Sequence, residues 1–289
     1  MRSALSHRFF NGHPKAEWFF IKISLMWIWL KIVHGVFLDT GHVPYPDGIC
    51  RFFDCSVLVV NNASHFFYVA AVILSVLYLF ERWMMLTTFL MFLLSLLLFT
   101  LEESNGILNR CALYTMVFLA QSIAYYKGGD KLRQNRIQFA VQIIAAGYFL
   151  AGSSKLIASG FHWITDAPQA SIQILKNYSY AYFDTGNYAD LQQGLTKAHF
   201  VLQHKFFVIL LFGASLFLEL TAWVALTGKR NTFIYGLLLL GMHMGILFFM
   251  DILIVAIFYP MLIFMVNPMY VGYFVVCEGT GWVKDRFDY

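Results

Sequence analysis

The stretch Thr232–Val266, TFIYGLLLLGMHMGILFFMDILIVAIFYPMLIFMV, is about 35 residues long and carries one carboxylate, Asp251. Its length and apolar character indicate a membrane protein, because about 20 such residues already cross a bilayer. At a rise of about 1.5 Å per residue, the stretch is too long for a single span. We therefore expect two spans here, separated at Asp251 by a tight hairpin or a break in the helix.

The rest of the chain has the same apolar character. Of its 289 residues, 60% are hydrophobic and only 12% are charged, a composition typical of polytopic membrane proteins. We predict an all-α fold: a polytopic transmembrane helix bundle of about eight spans, forming one domain over residues 1–289. Tyr270–Val276 is apolar but short, and we expect it to lie at the membrane interface. The predicted spans are Trp18–Phe37, His65–Phe80, Trp83–Leu101, Ile107–Tyr126, Ile137–Ile157, Phe206–Thr227, Thr232–Phe249 and Ile252–Val266.

Loop charges predict which way the bundle faces. With eight spans, most basic loop residues fall on one side, which the positive-inside rule assigns to the cytoplasm. We expect both termini to be cytoplasmic and the protein to lie in a bacterial inner (cytoplasmic) membrane. The net charge of +4 resides largely in these loops, so it indicates topology and not nucleic-acid binding. The residues on the basic side are Arg2, Arg8, Lys15, Arg82, Lys127, Lys131, Arg133, Arg136, Lys229, Arg230, Lys284 and Arg286.

Two long segments, Leu38–Ser64 and Ala158–Lys205, then lie on the extracytoplasmic side. They are longer than simple connections, and long ordered loops tend to carry function. We expect residues 158–205 to form an insertion that acts as a lid over the outer end of the bundle. Its aromatic side chains should pack onto the bundle, because leaving them in water would forfeit about 25 cal/mol per Å². They are Tyr178, Tyr180, Tyr182 and Phe183.

Cys50 and Cys55 share the first of these outer loops. An oxidising compartment permits a disulfide between them, and their spacing allows the bond without requiring it. The sequence contains no CxxC motif and no zinc-ligand pattern, so we predict no metal site.

Lys155 is the most informative ionisable residue. It ends the apolar span Ile137–Ile157, where a lysine costs roughly 2.5–3.5 kcal/mol on insertion scales. Such a lysine is retained where it faces a protein interior or a water-filled cavity, and loss of hydration favours its neutral, basic form. It is therefore a candidate catalytic base. The alternative is a lysine that extends its ammonium group to the lipid headgroups and has no further role.

Other polar residues occur within or beside the predicted spans. Glu219 lies in the sixth span, where it needs a partner or a proton, and Lys155 is one possible partner. His243 lies between glycines in the seventh span and is either a candidate catalytic group or a hydrogen-bonded core residue; His34, near the outer end of the first span, has the same status. Asn105 and Asn109 share a helix face and could bind a ligand or cap the helix.

The segment 142–156, QIIAAGYFLAGSSKL, resembles a pattern of the HTTM family, the membrane region of vitamin K-dependent γ-glutamyl carboxylase and its bacterial relatives. The pattern is Gln, then Tyr-Phe, then Ala-Gly-x-x-Lys-Leu, followed by Trp, here Trp163. A second likeness is Gly48–Phe52 in the first outer loop. A third is the family's Glu in one span and His in the next, matched by Glu219 and His243.

This resemblance implies a chemistry for the outer end of the bundle. Lys155 would deprotonate a reduced quinone of the vitamin K type, whose oxygenation gives the stronger base that removes a proton from a peptide glutamate before carbon dioxide adds. Glu219, His243, Gln142 and Trp163 would line the same pocket. The partners implied are membrane lipid, an exported peptide substrate and possibly a small partner subunit.

The function therefore has several readings. The first is an integral membrane enzyme with an outward-facing pocket that modifies or processes an exported peptide. Short members of the family also resemble the membrane protein that helps to mature the sporulation-delaying peptide toxin, a reading that needs no quinone. The alternatives are a non-enzymatic component of toxin maturation, immunity or export, in which Lys155 pairs with Glu219, and a quinone-binding redox subunit.

Overall fold

The structure is a computed structural model that describes residues 9–10, 12–39, 48–59, 62–104, 111–129, 131–250 and 254–280. All regular secondary structure in these ranges is helical, which confirms the predicted all-α bundle. The helices of seven or more residues are α1 (Pro14–His34), α2 (Asn62–Leu79), α3 (Met84–Ser104), α4 (Ala112–Lys127), α5 (Leu132–Ser159), α6 (Ala170–Thr185), α7 (Tyr188–Gln203), α8 (Lys205–Leu220), α9 (Lys229–Met250), α10 (Val255–Met261) and α11 (Pro268–Thr280).

The number of full-length spans is smaller than predicted. Among the described residues, five helical stretches are long and apolar enough to cross a membrane, in place of about eight. A sixth is obtained if α7 and α8 count as one span, and these two helices meet at an angle of 88°. The predicted second and fourth spans form α2 and α4, which are helical but short. The five stretches are Pro14–Phe37, Met84–Glu102, Gln134–Ser159, Lys229–Phe249 and Ile257–Cys277.

The C-terminal span differs from the sequence prediction. Tyr270–Val276, expected at the interface, belongs to the continuous apolar stretch Ile257–Cys277. A π-helical turn over Leu262–Val266 joins α10 to Asn267, whose backbone is left-handed with φ 48°. The side chain of Asn267 accepts a hydrogen bond from the Tyr270 amide at 3.2 Å and so begins α11. The expected break at Asp251 lies outside the described residues.

Two buried side-chain hydrogen bonds join neighbouring helices inside the bundle. The Trp29 indole N–H donates to Ser95 Oγ at 2.9 Å and joins α1 to α3. The Tyr78 hydroxyl donates to Gln121 Oε1 at 2.8 Å and joins α2 to α4. Each unpaired polar group in an apolar interior costs several kcal/mol, so these bonds fix which helices are neighbours.

One end of the bundle, here the basic end, gathers the N-terminus of α1 with the α2–α3, α4–α5 and α8–α9 connections. Lys22 of α1 lies 2.9 Å from a carboxylate oxygen of Glu81, in the α2–α3 turn, and Arg136 of α5 lies 3.8 Å from the other. Glu17 of α1 binds Lys229 of α9 at 2.7 Å. The described loops whose charges suggested a common side therefore do share an end, while Arg2, Arg8, Lys284 and Arg286 lie outside the described residues. That this end faces the cytoplasm stays a prediction.

The expected lid segment is a pair of antiparallel helices, the lid hairpin (α6 and α7), which turns at Gly186. Lys197 of α7 fastens it to the bundle, donating to the Tyr178 hydroxyl at 2.5 Å and to the Phe248 carbonyl of α9 at 2.6 Å. Tyr178 is buried, but against Gly194 of α7 within the hairpin and not on the bundle as expected. Tyr182 is half-buried, and the expectation was wrong for Tyr180 and Phe183, which are exposed because α6 packs on α7 through its other face.

Cys50 and Cys55 are joined by a disulfide, and both are buried. The bond closes a small loop that begins with a turn of 3-10 helix, Gly48–Arg51. After it, the Ser56 amide donates to the Asp54 side chain at 3.0 Å, and hydrogen bonds from Ser56 hold the pKa of this exposed carboxyl below its usual value.

Candidate functional site

Three helices bring the intramembrane polar residues together. Tyr148, Gly152 and Lys155 of α5 are spaced by four and three residues, so they lie on one face of the helix. This face meets α8, which carries Glu219, and α9, which carries His243. The residues that sequence reasoning singled out from three separate spans therefore form one cluster.

Lys155 and Glu219 form an ion pair inside this cluster. The ammonium nitrogen lies 2.5 Å from one carboxylate oxygen and 2.6 Å from the other. The Glu219 side chain is 6% exposed and that of Lys155 23% exposed. The pair is thus drawn out of solvent on the carboxylate side and remains accessible on the amine side. Of the two roles weighed for Lys155 from sequence, a snorkelling anchor does not describe this geometry.

Gly152 makes the ion pair possible. A Cβ atom at this position would stand 2.9 Å from the Glu219 Cβ and 3.3 Å from Leu220. The absent side chain lets α8 approach α5 closely enough for the lysine to reach the carboxylate, as small residues do at membrane helix contacts. A short turn, His162–Thr165, then packs against both α5 and α8.

Trp163, from that turn, covers the amine. The Lys155 nitrogen lies 5.0 Å from the centre of the Trp163 ring, a cation–π distance. The indole Nε1 is buried and has no hydrogen-bond partner among the described residues. A buried donor of this kind needs an acceptor, since leaving it unpaired costs about 1–3 kcal/mol. The Trp163 ring therefore contacts the Lys155 amine through its face, while its buried N–H is a donor without a partner among the described residues.

Tyr148 and His243 form a second pair. The tyrosine hydroxyl and His243 Nε2 share a hydrogen bond of 2.7 Å, and both side chains are almost fully buried. Phe258 meets the imidazole edge-on from α10. Tyr148 lies within electrostatic range of Glu219, and His243 within range of Lys155, so the two pairs influence one another.

The other predicted site residues lie elsewhere. Gln142 is exposed on a different face of α5, and His34 is exposed near the end of α1 with its ring 5.7 Å from that of Tyr68. Asn105 and Asn109 lie outside the described residues. In the described ranges no group of three or more His, Cys, Asp or Glu residues is placed to hold a metal ion.

Sequence reasoning missed two features. Tyr148 was part of the quoted motif but had no assigned role, because a tyrosine in an apolar span is unremarkable until its partner is known. Lys22, Glu81 and Arg136 form a second charge cluster at the basic end, in which the two cations are buried and the carboxylate is exposed. The rule that singled out Lys155, the high cost of a charge within an apolar span, applies equally to Lys22 and would have found this cluster.

Chemically, the Lys155 cluster holds an amine and a carboxylate in direct contact, and these are two kinds of group that general acid–base catalysis uses. Comparison with models of known families, with curated proteins and with solved structures gave no match.

Proposed function

We propose that this chain is an integral membrane enzyme that modifies an exported peptide at the Lys155 end of the bundle, with Lys155 as its base. One observation carries the proposal: a partly accessible amine is bound by both oxygens of a buried carboxylate and lies 5.0 Å from the centre of the Trp163 ring.

Glu219 is the proton acceptor that makes Lys155 basic. In its resting form the amine is protonated and cannot take a proton from a substrate. Moving that proton to Glu219 leaves a neutral amine, which then removes a proton from an acidic group of the substrate and becomes an ammonium again. Glu219 holds the transferred proton until water removes it, or until the ammonium has passed the substrate's proton on and the neutral amine takes the proton back from Glu219.

Trp163 and the Tyr148–His243 pair position the reacting groups. The indole N–H would hold a substrate oxygen near the amine, which is the geometry that general-base catalysis requires. The buried tyrosine–histidine pair fixes the α5–α9 contact and supplies a further group that accepts or donates a proton.

The residues present fit a reduced quinone, the cofactor that the sequence resemblance implies. Lys155 and the unpaired Trp163 N–H supply a base and a hydrogen-bond donor for one quinone oxygen, and the apolar bundle suits the ring. When bound, such a cofactor would supply an acidic hydroxyl group. Peptide processing without a quinone would use the same base.

A second candidate function is non-enzymatic: a membrane component of peptide maturation, immunity or export. The two short contacts between Lys155 and Glu219 favour it, because they already satisfy the charge of the lysine. For this function the Lys155–Glu219 pair joins α5 to α8 and takes no part in a reaction.

Arginine at position 155 separates these candidates. Arginine keeps the charge and can bind a carboxylate through two hydrogen bonds, but it does not release its proton at physiological pH. We expect Lys155→Arg to remain folded and to abolish modification of the exported peptide. Mass spectrometry of exported peptides, from native-host cells that carry the wild-type protein or the variant, measures the modification. Thermal unfolding of the purified proteins measures the fold.

Two further variants complete the test. Lys176 is an exposed lysine on α6, and Lys176→Arg is therefore the matched control. This variant should modify the peptide normally. Lys155→Ala should lose both activity and stability. If Lys155→Arg modifies the peptide as the wild type does, Lys155 is not the base. The Lys155–Glu219 pair then only joins α5 to α8, as in the second candidate function.

A further inference from the structure

A cavity of about 840 Å³ opens at the basic end, far from the Lys155 cluster. Arg136 of α5 lines it, and Lys155 lies 19 residues further along the same helix, about 28 Å away at 1.5 Å per residue. The cavity is therefore separate from the site proposed above. Its lining residues are Lys15, Ala16, Trp18, Phe19, Phe20, Lys22, Glu81, Gly129, Leu132, Arg136 and Tyr273.

The described lining residues carry three cations and one carboxylate. Burial favours a raised pKa for Glu81, but hydrogen bonds from Lys22 and Trp18 and the charges of Lys22 and Arg136 outweigh it and hold the pKa below the usual 4.5. Glu81 is therefore ionised at neutral pH. Even so, one negative charge faces three positive charges, so this lining has a surplus of two.

Arg136 is the residue best placed to bind a ligand in this cavity. It is 8% exposed, and its guanidinium stacks on Trp18 at 3.9 Å from the ring centre. Its ionic contact to Glu81 is long at 3.8 Å, and it also interacts with the Tyr125 hydroxyl, but its Nε has no hydrogen-bond partner among the described residues. A buried guanidinium with unused donors is suited to the oxygen atoms of a phosphate or carboxylate.

The backbone at Glu81 shows that this cluster is held in place against a conformational cost. Glu81 adopts a left-handed conformation with φ 54° at the end of α2, the position that glycine usually occupies. The Arg82 amide bonds the Leu77 carbonyl at 2.9 Å and the Glu81 amide bonds the Tyr78 carbonyl at 3.1 Å. Lys22 donates to the Leu79 carbonyl at 2.8 Å and closes the same turn. The carboxylate is thereby aimed at the cations.

The apolar walls indicate what kind of anion fits. Phe19, Phe20 and Leu132 line the cavity together with the cations, and Phe19 is 51% exposed on the outer surface of α1. A small inorganic anion would leave these walls in water. An amphiphile would place its charged group on Arg136, Lys22 and Lys15 and its chain along the aromatic side chains.

We infer that this cavity binds the headgroup of an anionic phospholipid, whose phosphate contacts Arg136 and the flanking lysines. The inference stands apart from the proposed activity, because it uses none of the residues of the Lys155 cluster. It requires only that the basic end lies at a membrane surface, which the five membrane-length helices support.

Lipid binding to the whole protein in detergent tests this inference. Native mass spectrometry would compare an anionic phosphatidylglycerol with a zwitterionic phosphatidylcholine of the same chains. We expect a preference of about tenfold or more for the anionic lipid, since each basic residue near a lipid headgroup contributes about a fivefold change. Arg136→Gln should remove most of the preference. Lys15→Gln, at an exposed position where folding is not at risk, should lower it about fivefold.

Controls make the test specific to the cavity. Lys131→Gln removes an exposed charge from the same end without lining the cavity and should keep the preference. Inorganic phosphate at lipid concentration should not displace the lipid. An equal loss from Lys15→Gln and Lys131→Gln would overturn the inference in favour of a diffuse surface charge. Displacement of the lipid by inorganic phosphate would overturn the inference that the cavity binds a lipid headgroup and would identify it as a site for free phosphate.

Discussion

Gly152 determines how closely α5 and α8 approach, and therefore whether Lys155 reaches Glu219. A methyl group here would stand 2.9 Å from the Glu219 Cβ. We expect Gly152→Ala to destabilise the protein by up to about 2 kcal/mol, because an overpacking cost of about 1–3 kcal/mol is offset in part by a gain in helix propensity of about 1 kcal/mol. Thermal unfolding in detergent measures the loss.

Gly147 provides the matched control on the same helix. A Cβ there would meet its nearest neighbour, Leu113 Cδ1, at 3.5 Å, an ordinary contact. Gly147→Ala should therefore be neutral or slightly stabilising. An equal loss of stability in Gly152→Ala and Gly147→Ala would show that the close approach of the helices at Gly152 is not the cause of the destabilisation.

The site was predictable to the extent that burying a charge is costly. Lys155, Glu219 and His243 stand out in apolar spans from the sequence alone, and their pairing was one of the alternatives. Their three-dimensional arrangement was not predictable, because the contacts Lys155–Glu219 and Tyr148–His243 join residues 64 and 95 positions apart. Only the packing of α5 on α8 and α9 decides such contacts.

At the scale of elements, Lys197 holds the lid hairpin on the bundle through its bond to the Phe248 carbonyl, while its bond to Tyr178 joins the two helices of the hairpin. Hydrogen bonds from a charged group contribute about 1.5–3 kcal/mol. We expect Lys197→Met to raise opening of the hairpin by roughly tenfold, the lower end of that range. Hydrogen exchange of the α7 amides measures the opening.

Lys176→Met is the companion variant, because Lys176 lies on the exposed face of α6 beside Tyr180. It should leave exchange in the hairpin unchanged. Faster exchange in Lys176→Met, or an unchanged exchange rate in Lys197→Met, would mean that packing alone holds the hairpin. The fit of Gly194 against Tyr178 is one example of such packing.

The helices themselves were predictable from apolar runs, but their continuity was not. The run 252–266 was expected to end before a separate interfacial segment. Pro260 and Asn267 are both strong break signals, yet a π-helical turn and a left-handed Asn267 carry the chain from α10 into α11. Sequence patterns locate such signals but do not show whether the chain turns away or continues beyond them.

At the scale of the whole molecule, the basic end should face the cytoplasm. We expect Lys131→Cys, in a Cys277→Ser background, to react with a membrane-impermeant maleimide only after cells are opened, because the positive-inside rule places its loop inside. Lys176→Cys on the lid hairpin should react in intact cells. The other cysteines do not interfere, since Cys50 and Cys55 form a disulfide and Cys111 is buried.

The opposite labelling pattern would show that the protein has the reverse orientation in the membrane. It would place the Lys155 cluster on the cytoplasmic side, where an exported peptide does not reach it, and the proposed function would fall with it. The lipid cavity would then face the other leaflet, while its chemistry would be unchanged.

The unequal lengths of neighbouring helices have a consequence for the surrounding bilayer. α4 has 16 residues and packs beside α5, which has 28. At about 1.5 Å per residue these helices measure roughly 24 Å and 42 Å, against a hydrocarbon thickness of about 30 Å. Where α4 faces lipid the acyl chains must shorten toward it, whereas the apolar part of α5, Ile137–Ile157, measures about 32 Å and matches the hydrocarbon thickness. Hydrophobic mismatch therefore occurs on one side of the protein. Both the tilt of the protein and its sorting between membranes should depend on membrane thickness.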